Sequence, residues 1–549
     1  MSRRVQTALL SAAAVALAAS VWLGVSRGFF SGDSGVKFAQ AHALWESNFS
    51  SRALPYDWDL DPDGEFFPYG EFFREVDGER QGIYSVVFTG LAAPLIGLFG
   101  LAGTLVLPLA GGVLVLAGVH RALVRTGHPP WLALLAGGAA SLATPVLFYA
   151  GQFAEHAPAT GLVTFALALL VGAPAGRRPA LAGALAGLAA TLRPEAYCAL
   201  VSLGLVALIG GQGPRQRLRH GASFAASAGA VLVAYWTLNL ALSGHWDPLV
   251  ALNTDDSASL DGTVTMLVGE VEGRSAVFWL LPFAIAVCAG AIPRSLLAGY
   301  PALIARVVLT LWIAYVCASA LEAGVGRTQM GLFAVTPLAA YGLSAGAWTG
   351  RQRALWLFGV TFVGQVLFLD SSGTAGGLQF GARLVLPALP ALVALSLATA
   401  WEDARSWRRP WSRGLIFVPI VGLVAITGYA MARGLPDANE IAEDGYAAAE
   451  RVRAAPGDVV VTGRWWESQV LAAALLDGKP IYHARGGPRR LLGRLAEAGV
   501  ERVVLVSGAR ADFTLSGGYS SRRVTLWTEW LDIQDVVLEA RDSSSYGTR

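Results

Sequence analysis

The chain has 549 residues, of which 54% are hydrophobic and only 15% are charged, and its mean hydropathy is +0.50. This balance excludes an ordinary soluble enzyme and places most of the chain in lipid. The net charge is +2, and the arginines lie in short clusters between apolar runs, which argues against a nucleic-acid partner. Cys198, Cys288 and Cys317 all lie within apolar runs, so we expect no disulfide bond and no cysteine metal site.

The N-terminus carries Arg3 and Arg4 ahead of an apolar run that continues to Val25. Residues 16–20 resemble a signal-peptide cleavage site, which is one interpretation of this segment. The run is about long enough to cross a hydrocarbon core, however, and the chain after it is that of a membrane protein. We therefore expect an uncleaved anchor with a cytoplasmic N-terminus.

Hydropathy predicts about thirteen transmembrane helices. They are expected near residues 8–25, 101–119, 131–149, 157–171, 179–192, 196–209, 221–242, 277–292, 298–321, 330–347, 355–369, 384–400 and 415–432. This topology puts every basic cluster in the cytoplasm, as the positive-inside rule requires. Counting the apolar segment 83–100 as a span would reverse every later loop, so we interpret it as a re-entrant or interfacial helix. An ordinary crossing with a tight turn at Gly100 is the alternative.

The polar tail after residue 432 is predicted to fold as a small extracytoplasmic α/β domain, residues 433–549. Apolar strand-like runs at 458–462, 480–482 and 502–506 alternate with helical stretches at 467–476 and 489–498. The tail contains neither a phosphate-binding glycine-rich loop nor a nucleophile elbow. Shaping an acceptor site and acting as a structural cap are both open roles. Residues 1–432 are the predicted catalytic membrane domain, and its first outer loop is 26–100.

Ionisable residues gather next to the predicted spans on the extracytoplasmic side. Charged groups near lipid are costly, so their convergence on one face predicts a site, although each could instead be a solvated loop residue. Asp33 follows the first span by a few residues, which would place its carboxylate near the height of a lipid-borne phosphate. Transfer of a sugar from such a lipid requires a carboxylate that accepts a proton and cations that hold phosphate. The alternative is an Asp that caps a helix starting near Val36.

Further along the first loop, five acids alternate with other residues: Asp57, Asp59, Asp61, Asp63 and Glu65. Their spacing resembles the start of a calcium-binding hand. The glycine comes late, however, and no glutamate stands at the closing position. A solvated acidic loop is therefore favoured over a metal site.

Glu155 and His156 open the second outer loop, where a carboxylate and an imidazole side by side could bind metal, orient an acceptor or move a proton. Arg193, Arg327 and Arg383 border spans on the outer side, against the positive-inside trend. Each guanidinium could hold phosphate oxygens through two parallel hydrogen bonds. Snorkelling, or pairing with Glu195, Glu322 or Asp370, is the alternative.

Three motifs in this order resemble the GT-C class of membrane glycosyltransferases, which includes protein O-mannosyltransferases and lipid A aminoarabinose transferases. They are Gly32-Asp33 after the first span, Leu192-Arg193-Pro194-Glu195 after a Gly/Ala-rich span, and the stretch Gly-Gly-Leu-Gln-Phe-Gly-Ala-Arg-Leu at 376–384. The resemblance covers roughly residues 8–432. It implies a GT-C-like fold with Asp33 as the base, Arg383 as a ligand of the polyprenyl phosphate and Glu155 as a second acidic position.

His156, Arg193, Glu195, Arg327, Lys37 and Tyr84 complete the predicted substrate-binding set. Ser34 stands where many members of the class have a second carboxylate, so a divalent metal is doubtful and no cofactor is assigned. The stretch before the segment 83–100 lacks the prolines that are common in the class.

The expected function is transfer of a sugar, with inversion, from a polyprenyl-phosphate donor to a lipid, glycan or protein acceptor at a bacterial inner membrane. A lipid-linked sugar transporter or flippase is the alternative, for which ionisable groups near the bilayer midplane would be typical.

Overall fold

The structure is a computed structural model that describes residues 3–25, 28–70, 72–172, 176–244, 284, 288, 315, 332, 336–343, 352–369, 380, 383–406, 410–485, 489–508, 520–527 and 531–537. Arg327 and nearly all of the predicted spans at 277–292 and 298–321 lie outside the described residues.

The described α-helices are α1 Arg3–Gly24, α2 Gly32–Glu46, α3 Val86–Phe99, α4 Val106–Arg125, α5 Pro130–Leu142, α6 Val146–Ala150, α7 His156–Leu170, α8 Arg178–Ala190, α9 Ala196–Ile209, α10 Pro214–Ser243, α11 Leu338–Leu343, α12 Arg353–Leu369, α13 Leu389–Ser406, α14 Pro410–Ala454, α15 Trp465–Val470 and α16 Arg489–Glu497. The described strands are β1 Phe73–Val76, β2 Glu79–Gly82, β3 Val459–Thr462, β4 Ile481–His483, β5 Arg502–Gly508, β6 Ser520–Trp527 and β7 Leu531–Val537. Turns of 3₁₀ helix cover Gly100–Leu105, Arg383–Ala388 and Ala472–Asp477.

The chain forms two compact units. The helical unit comprises Met1–Val25 and Leu105–Ala438, and the mixed unit comprises Ser26–Thr104 and Asn439–Arg549. The first loop and the C-terminal segment therefore belong to one compact unit. Whether residues 433–549 also form a domain of their own, on the extracytoplasmic side, stays a prediction.

Proline and glycine set several helix ends in the helical unit. Helix α10 has Pro214 at its start, where a missing N–H costs nothing, and it ends at Gly244 in the left-handed region with φ +67°. Helix α5 likewise begins at Pro130. The predicted span at 131–149 is broken, because α5 ends at Leu142 and Pro145 separates it from the short helix α6.

Among the described residues, four helical stretches are long and apolar enough to cross a membrane: Arg4–Gly24, Val86–Arg125, Pro214–Leu242 and Arg383–Arg405. Shorter apolar helices cover Pro130–Leu142, His156–Leu170, Ala196–Ile209 and Arg353–Leu369. Gly100, with φ +58°, interrupts the 40-residue stretch Val86–Arg125. The count of about thirteen crossings and the interfacial placement of α3 stay predictions.

Small residues let helices α4 and α7 approach closely. A Cβ on Gly111 would lie 2.3 Å from the Ala157 carbonyl carbon, and a Cβ on Gly161 would lie 2.4 Å from the Gly111 carbonyl oxygen. Membrane helices pack through such small residues because lipid supplies no hydrophobic driving force between them. This contact fixes the start of α7, where Glu155 and His156 lie.

The mixed unit contains a five-stranded sheet in the order β4-β3-β5-β7-β6. Strand β3 pairs in parallel with β4 and β5, whereas β7 runs antiparallel to β5 and β6. The predicted strand-like runs correspond to β3, β4 and β5, and the helical stretches to α15 with its following 3₁₀ turn and to α16. Phe66 of the first loop is buried in the sheet's core against Tyr482 and Leu491.

The hairpin of β1 and β2 is not among the sequence predictions. Its strands pair in antiparallel register from Phe73 with Gly82 to Val76 with Glu79. Asp77 and Gly78 form the two-residue turn with φ of 52° and 82°. An Asp-Gly pair is a strong local signal for such a turn, so this element was readable in the sequence.

Candidate functional site

The helical unit brings together Glu155, Arg193 and Glu195, which we call the Arg193 cluster. Arg193 Nη1 lies 3.2 Å from Glu155 Oε1, and Arg193 Nε lies 2.8 Å from Glu195 Oε1. The side chain of Arg193 is 12% exposed, that of Glu155 3% and that of Glu195 6%. The cluster therefore carries two negative charges and one positive charge in a place that water barely reaches.

Local structure explains how these carboxylates are placed. Glu155 directly precedes α7, and Glu195 directly precedes α9. Negative side chains are favourable at helix N-termini because they complement the helix dipole. Burial by itself lowers the pKa of Arg193, but the charges and hydrogen bonds of Glu195 and Glu155 outweigh it and raise the pKa above its ordinary value.

Tyr149 connects His156 and Arg383 to the Arg193 cluster. The His156 ring stacks on the Tyr149 ring at a centroid distance of 4.7 Å and an interplanar angle of 16°. The Tyr149 hydroxyl accepts a hydrogen bond from the Phe380 main-chain N–H at 3.1 Å, and it interacts electrostatically with Arg383, Arg193 and Glu195. Arg383, 7% exposed, begins a 3₁₀ turn.

The helical unit thus gathers five of the predicted residues: Glu155, His156, Arg193, Glu195 and Arg383. Tyr149, which connects them, was missed by the sequence analysis. A tyrosine at the end of an apolar run is typical of a membrane interface, so its position alone gave no functional signal. Arg193 is paired with both carboxylates, which leaves Arg383 as the cation of this group that could hold an anion.

In the mixed unit, Asp33 lies in the first turn of α2, which begins at Gly32 after the N-cap residue Ser31. The interpretation of Asp33 as the cap of a helix starting near Val36 is therefore wrong, because the helix begins four residues earlier. Its carboxylate is partly exposed, whereas Ser34 and Lys37 are buried. A carboxylate in the first turn of a helix is in a favourable field.

Lys37 lies one turn after Asp33 on the same face of α2. It is 1% exposed, and its Nζ lies 4.4 Å from the centroid of the Tyr84 ring. Gln40 Nε2 donates to the Tyr84 carbonyl oxygen and to Thr89 Oγ1, at 3.2 Å each. The predicted residues Asp33, Lys37 and Tyr84 therefore belong to one structured region of the mixed unit.

The acidic stretch 57–65 differs from the expected solvated loop at Asp61, which is 0% exposed. Asp61 accepts hydrogen bonds from Phe66 N at 2.8 Å and from the Tyr56 hydroxyl, and Arg494 Nη1 lies 2.8 Å from its Oδ1. Glu65 also pairs with Arg490. Asp61 and Glu65 therefore connect the stretch to α16 through its arginines, whereas Asp57, Asp59 and Asp63 are exposed.

Within the described part of the chain, no three or more His, Cys, Asp and Glu side chains are grouped so that they could hold a metal ion. Glu155 and Glu195 are instead both paired with Arg193. The assignment of metal dependence stays a prediction.

No family model matches the sequence, and no curated protein matches it. Solved structures do match. ArnT from Cupriavidus metallidurans bound to undecaprenyl phosphate gives a TM-score of 0.52 at 14% identity, covering 98% of this chain and 99% of that chain. Its apo state gives 0.51 at 14% identity, with 98% of each chain covered.

The Archaeoglobus fulgidus oligosaccharyltransferase in complex with Zn and sulfate gives a TM-score of 0.47 at 12% identity, over 90% of this chain and 67% of that chain. The ArnT likeness spans both chains nearly end to end, and it shows that the two chains share a fold. The chain has a polytopic helical membrane fold like that of ArnT.

Proposed function

We propose that this protein is a GT-C membrane glycosyltransferase that moves a sugar, a hexose or a pentose, from a polyprenyl-phosphate donor to an extracytoplasmic lipid, glycan or protein. The observation that carries the proposal is the end-to-end fold likeness to ArnT, which in one structure is bound to undecaprenyl phosphate. The acids and the arginine of the Arg193 cluster, Arg383 and the acid at the start of α2 support it, because sugar transfer needs both kinds of group.

Asp33 is the proposed general base. Its carboxylate accepts the proton of an acceptor hydroxyl, the hydroxyl oxygen forms a bond to C1 of the sugar, and the C1–O bond to phosphate breaks with its electron pair on the phosphate. A direct attack of this kind inverts the configuration at C1. The partly exposed position of Asp33 supports the role because a proton acceptor must be reached by its substrate.

The donor phosphate is the proposed ligand of the arginines. Two of the donors of Arg193 already point at carboxylates, so its main role is to fix Glu155 and Glu195. Arg383, at the start of the 3₁₀ turn Arg383–Ala388, is the proposed direct contact of the phosphate, with Arg327 as a second candidate. Lys37, Tyr84 and His156 complete the proposed substrate-binding residues, and Glu155 is the proposed second acid.

The proposed location is a bacterial inner membrane, with the N-terminus in the cytoplasm and the C-terminal segment outside. In this orientation every basic cluster faces the cytoplasm, as the positive-inside rule requires, which supports the proposed orientation. The proposed partners are membrane lipids, the polyprenyl-phosphate sugar and the acceptor.

The test uses the full-length chain in lipid vesicles with a panel of undecaprenyl-phosphate hexoses and pentoses and a cell-envelope extract as the acceptor pool. We expect free undecaprenyl phosphate to be released from one donor, and only when the extract is present. Movement of the intact lipid-linked sugar across the vesicle membrane, with no release of free lipid phosphate from any donor, would instead identify the transporter alternative.

A further inference from the structure

Two glycines flank Asp33 and bring α2 into close contact with the C-terminal segment of the mixed unit. A Cβ on Gly32 would lie 1.8 Å from Gln469 Oε1, and a Cβ on Gly35 would lie 1.7 Å from the Gln469 carbonyl oxygen. A larger residue at Gly32 would displace the Gln469 side chain, and one at Gly35 would require a shift of the backbone. The two glycines of the Gly-Asp-Ser-Gly sequence therefore let Gln469 lie against the first turn of α2, which carries the proposed base.

The Gln469 carboxamide is fully buried, with 0% exposure. Within the described part of the chain, neither its Oε1 nor its Nε2 has a hydrogen-bond partner. Folded proteins rarely bury an amide in this way, because its lost contacts with water are not replaced. A side chain in this state is suited to a polar group that a ligand brings.

The segment that carries Gln469 is held firmly. Glu467 Oε2 accepts hydrogen bonds from Gly463 N at 3.0 Å and Arg464 N at 2.9 Å, and Ser468 Oγ lies 2.6 Å from Thr462 Oγ1. The contacts of Glu467 fix the first turn of α15, and the contact of Ser468 fixes the residue before Gln469. A polar group held by such supports is preorganised for binding.

The sheet topology places α15 at a favourable point for ligands. Strand β3 lies between its parallel neighbours β4 and β5. The next strand in the chain, β4, lies on one side of β3, and the strand after it, β5, lies on the other side. Ligands of open α/β sheets bind outside the carboxyl ends of strands at such a switch point. Gln469 follows the carboxyl end of β3 within this region.

We propose that Gln469 binds the acceptor of the transfer reaction by hydrogen bonds to a hydroxyl-bearing group next to Asp33. The neutral amide can donate through Nε2 and accept through Oε1, which suits a hydroxyl group. The amide thereby orients the hydroxyl whose proton Asp33 accepts. This inference rests on the proposed function and adds a specificity-determining residue from the C-terminal segment.

The test compares Gln469→Met with Gln40→Met. Both glutamines are 0% exposed, but Gln40 Nε2 donates two hydrogen bonds within the fold. Thermal unfolding of the full-length chain in detergent, without donor or extract, is measured first. We expect Gln469→Met to keep or raise the Tm, because no described bond is lost, and Gln40→Met to lower it.

The second measurement is undecaprenyl-phosphate release at increasing concentrations of the envelope extract. We expect Gln469→Met to raise the extract concentration for half-maximal rate by about tenfold, with the affinity for undecaprenyl phosphate unchanged. An unchanged half-maximal concentration, or a fall in Tm as large as that of Gln40→Met, would overturn the inference. If the wild-type chain releases no undecaprenyl phosphate, the proposed function itself is wrong.

Discussion

Arg193 and Glu155, 38 residues apart in the chain, lie in contact in the helical unit, with Nη1 of the arginine 3.2 Å from Oε1 of the glutamate. The contact joins the loop before α7 to the loop before α9. Glu195 completes it from the second loop at 2.8 Å. One guanidinium therefore holds two buried carboxylates in place.

Replacing Arg193 by leucine should destabilise the protein by about 3–5 kcal/mol, because it leaves two buried carboxylates without a countercharge. Thermal or denaturant unfolding of the full-length chain in detergent measures this. Adding Glu155→Gln and Glu195→Gln to the leucine variant should recover part of the loss, since both charges are then gone. A leucine variant as stable as the wild type would contradict the cluster's structural role.

Asp61 should matter for stability far more than its neighbour Asp63. Asp61→Ala removes the acceptor of Phe66 N and the partner of Arg494, so a loss of about 3 kcal/mol in the free energy of unfolding is expected. Asp63 is exposed, and Asp63→Ala should change stability by no more than about 0.5 kcal/mol. Equal effects of the two substitutions would show that Asp61 is not the buried connection to α16.

His483 should make the mixed unit sensitive to mild acid. Burial, and then the charge of Arg485, lowers the pKa of this imidazole from 6.5. As the pH falls below that value, the unfolded chain takes up the proton before the folded chain does, so the free energy of unfolding falls. The stability of wild type relative to His483→Leu should therefore decrease from about pH 7 to about pH 5. A relative Tm that is the same at both pH values would refute this.

The sequence predicts most described helices because a segment in lipid must satisfy its own backbone hydrogen bonds, which leaves helix as the outcome for each apolar run. The predicted span at 196–209 coincides with α9, Ala196–Ile209. Strands β3 and β5 were readable as buried apolar runs. Strands β6 and β7 were not predicted, since polar residues interrupt them, as in Arg522-Arg523 and Asp535.

The candidate site was predictable by residue type but not by contact. Arg193, Glu155 and Glu195 stand out in the sequence as charges next to apolar runs, yet their mutual contact depends on how α7, α8 and α9 pack. The partner of Asp61 illustrates the limit, because Arg494 lies 433 residues away and no local pattern connects them. Gln469 was missed for the same reason: only the folded unit places it against Gly32 and Gly35.

Sugar transfer from a polyprenyl phosphate with Asp33 as the base is the proposed activity of the protein. The most direct measurement compares release of free undecaprenyl phosphate by wild type, Asp33→Asn and the exposed-acid control Asp63→Asn, in the same vesicles with the same extract. We expect Asp33→Asn to lose at least about a hundredfold in rate, with an unchanged Tm, and Asp63→Asn to match wild type. Release by Asp33→Asn at the wild-type rate would contradict the role of Asp33 and assign the base elsewhere, with Glu155 as the next candidate.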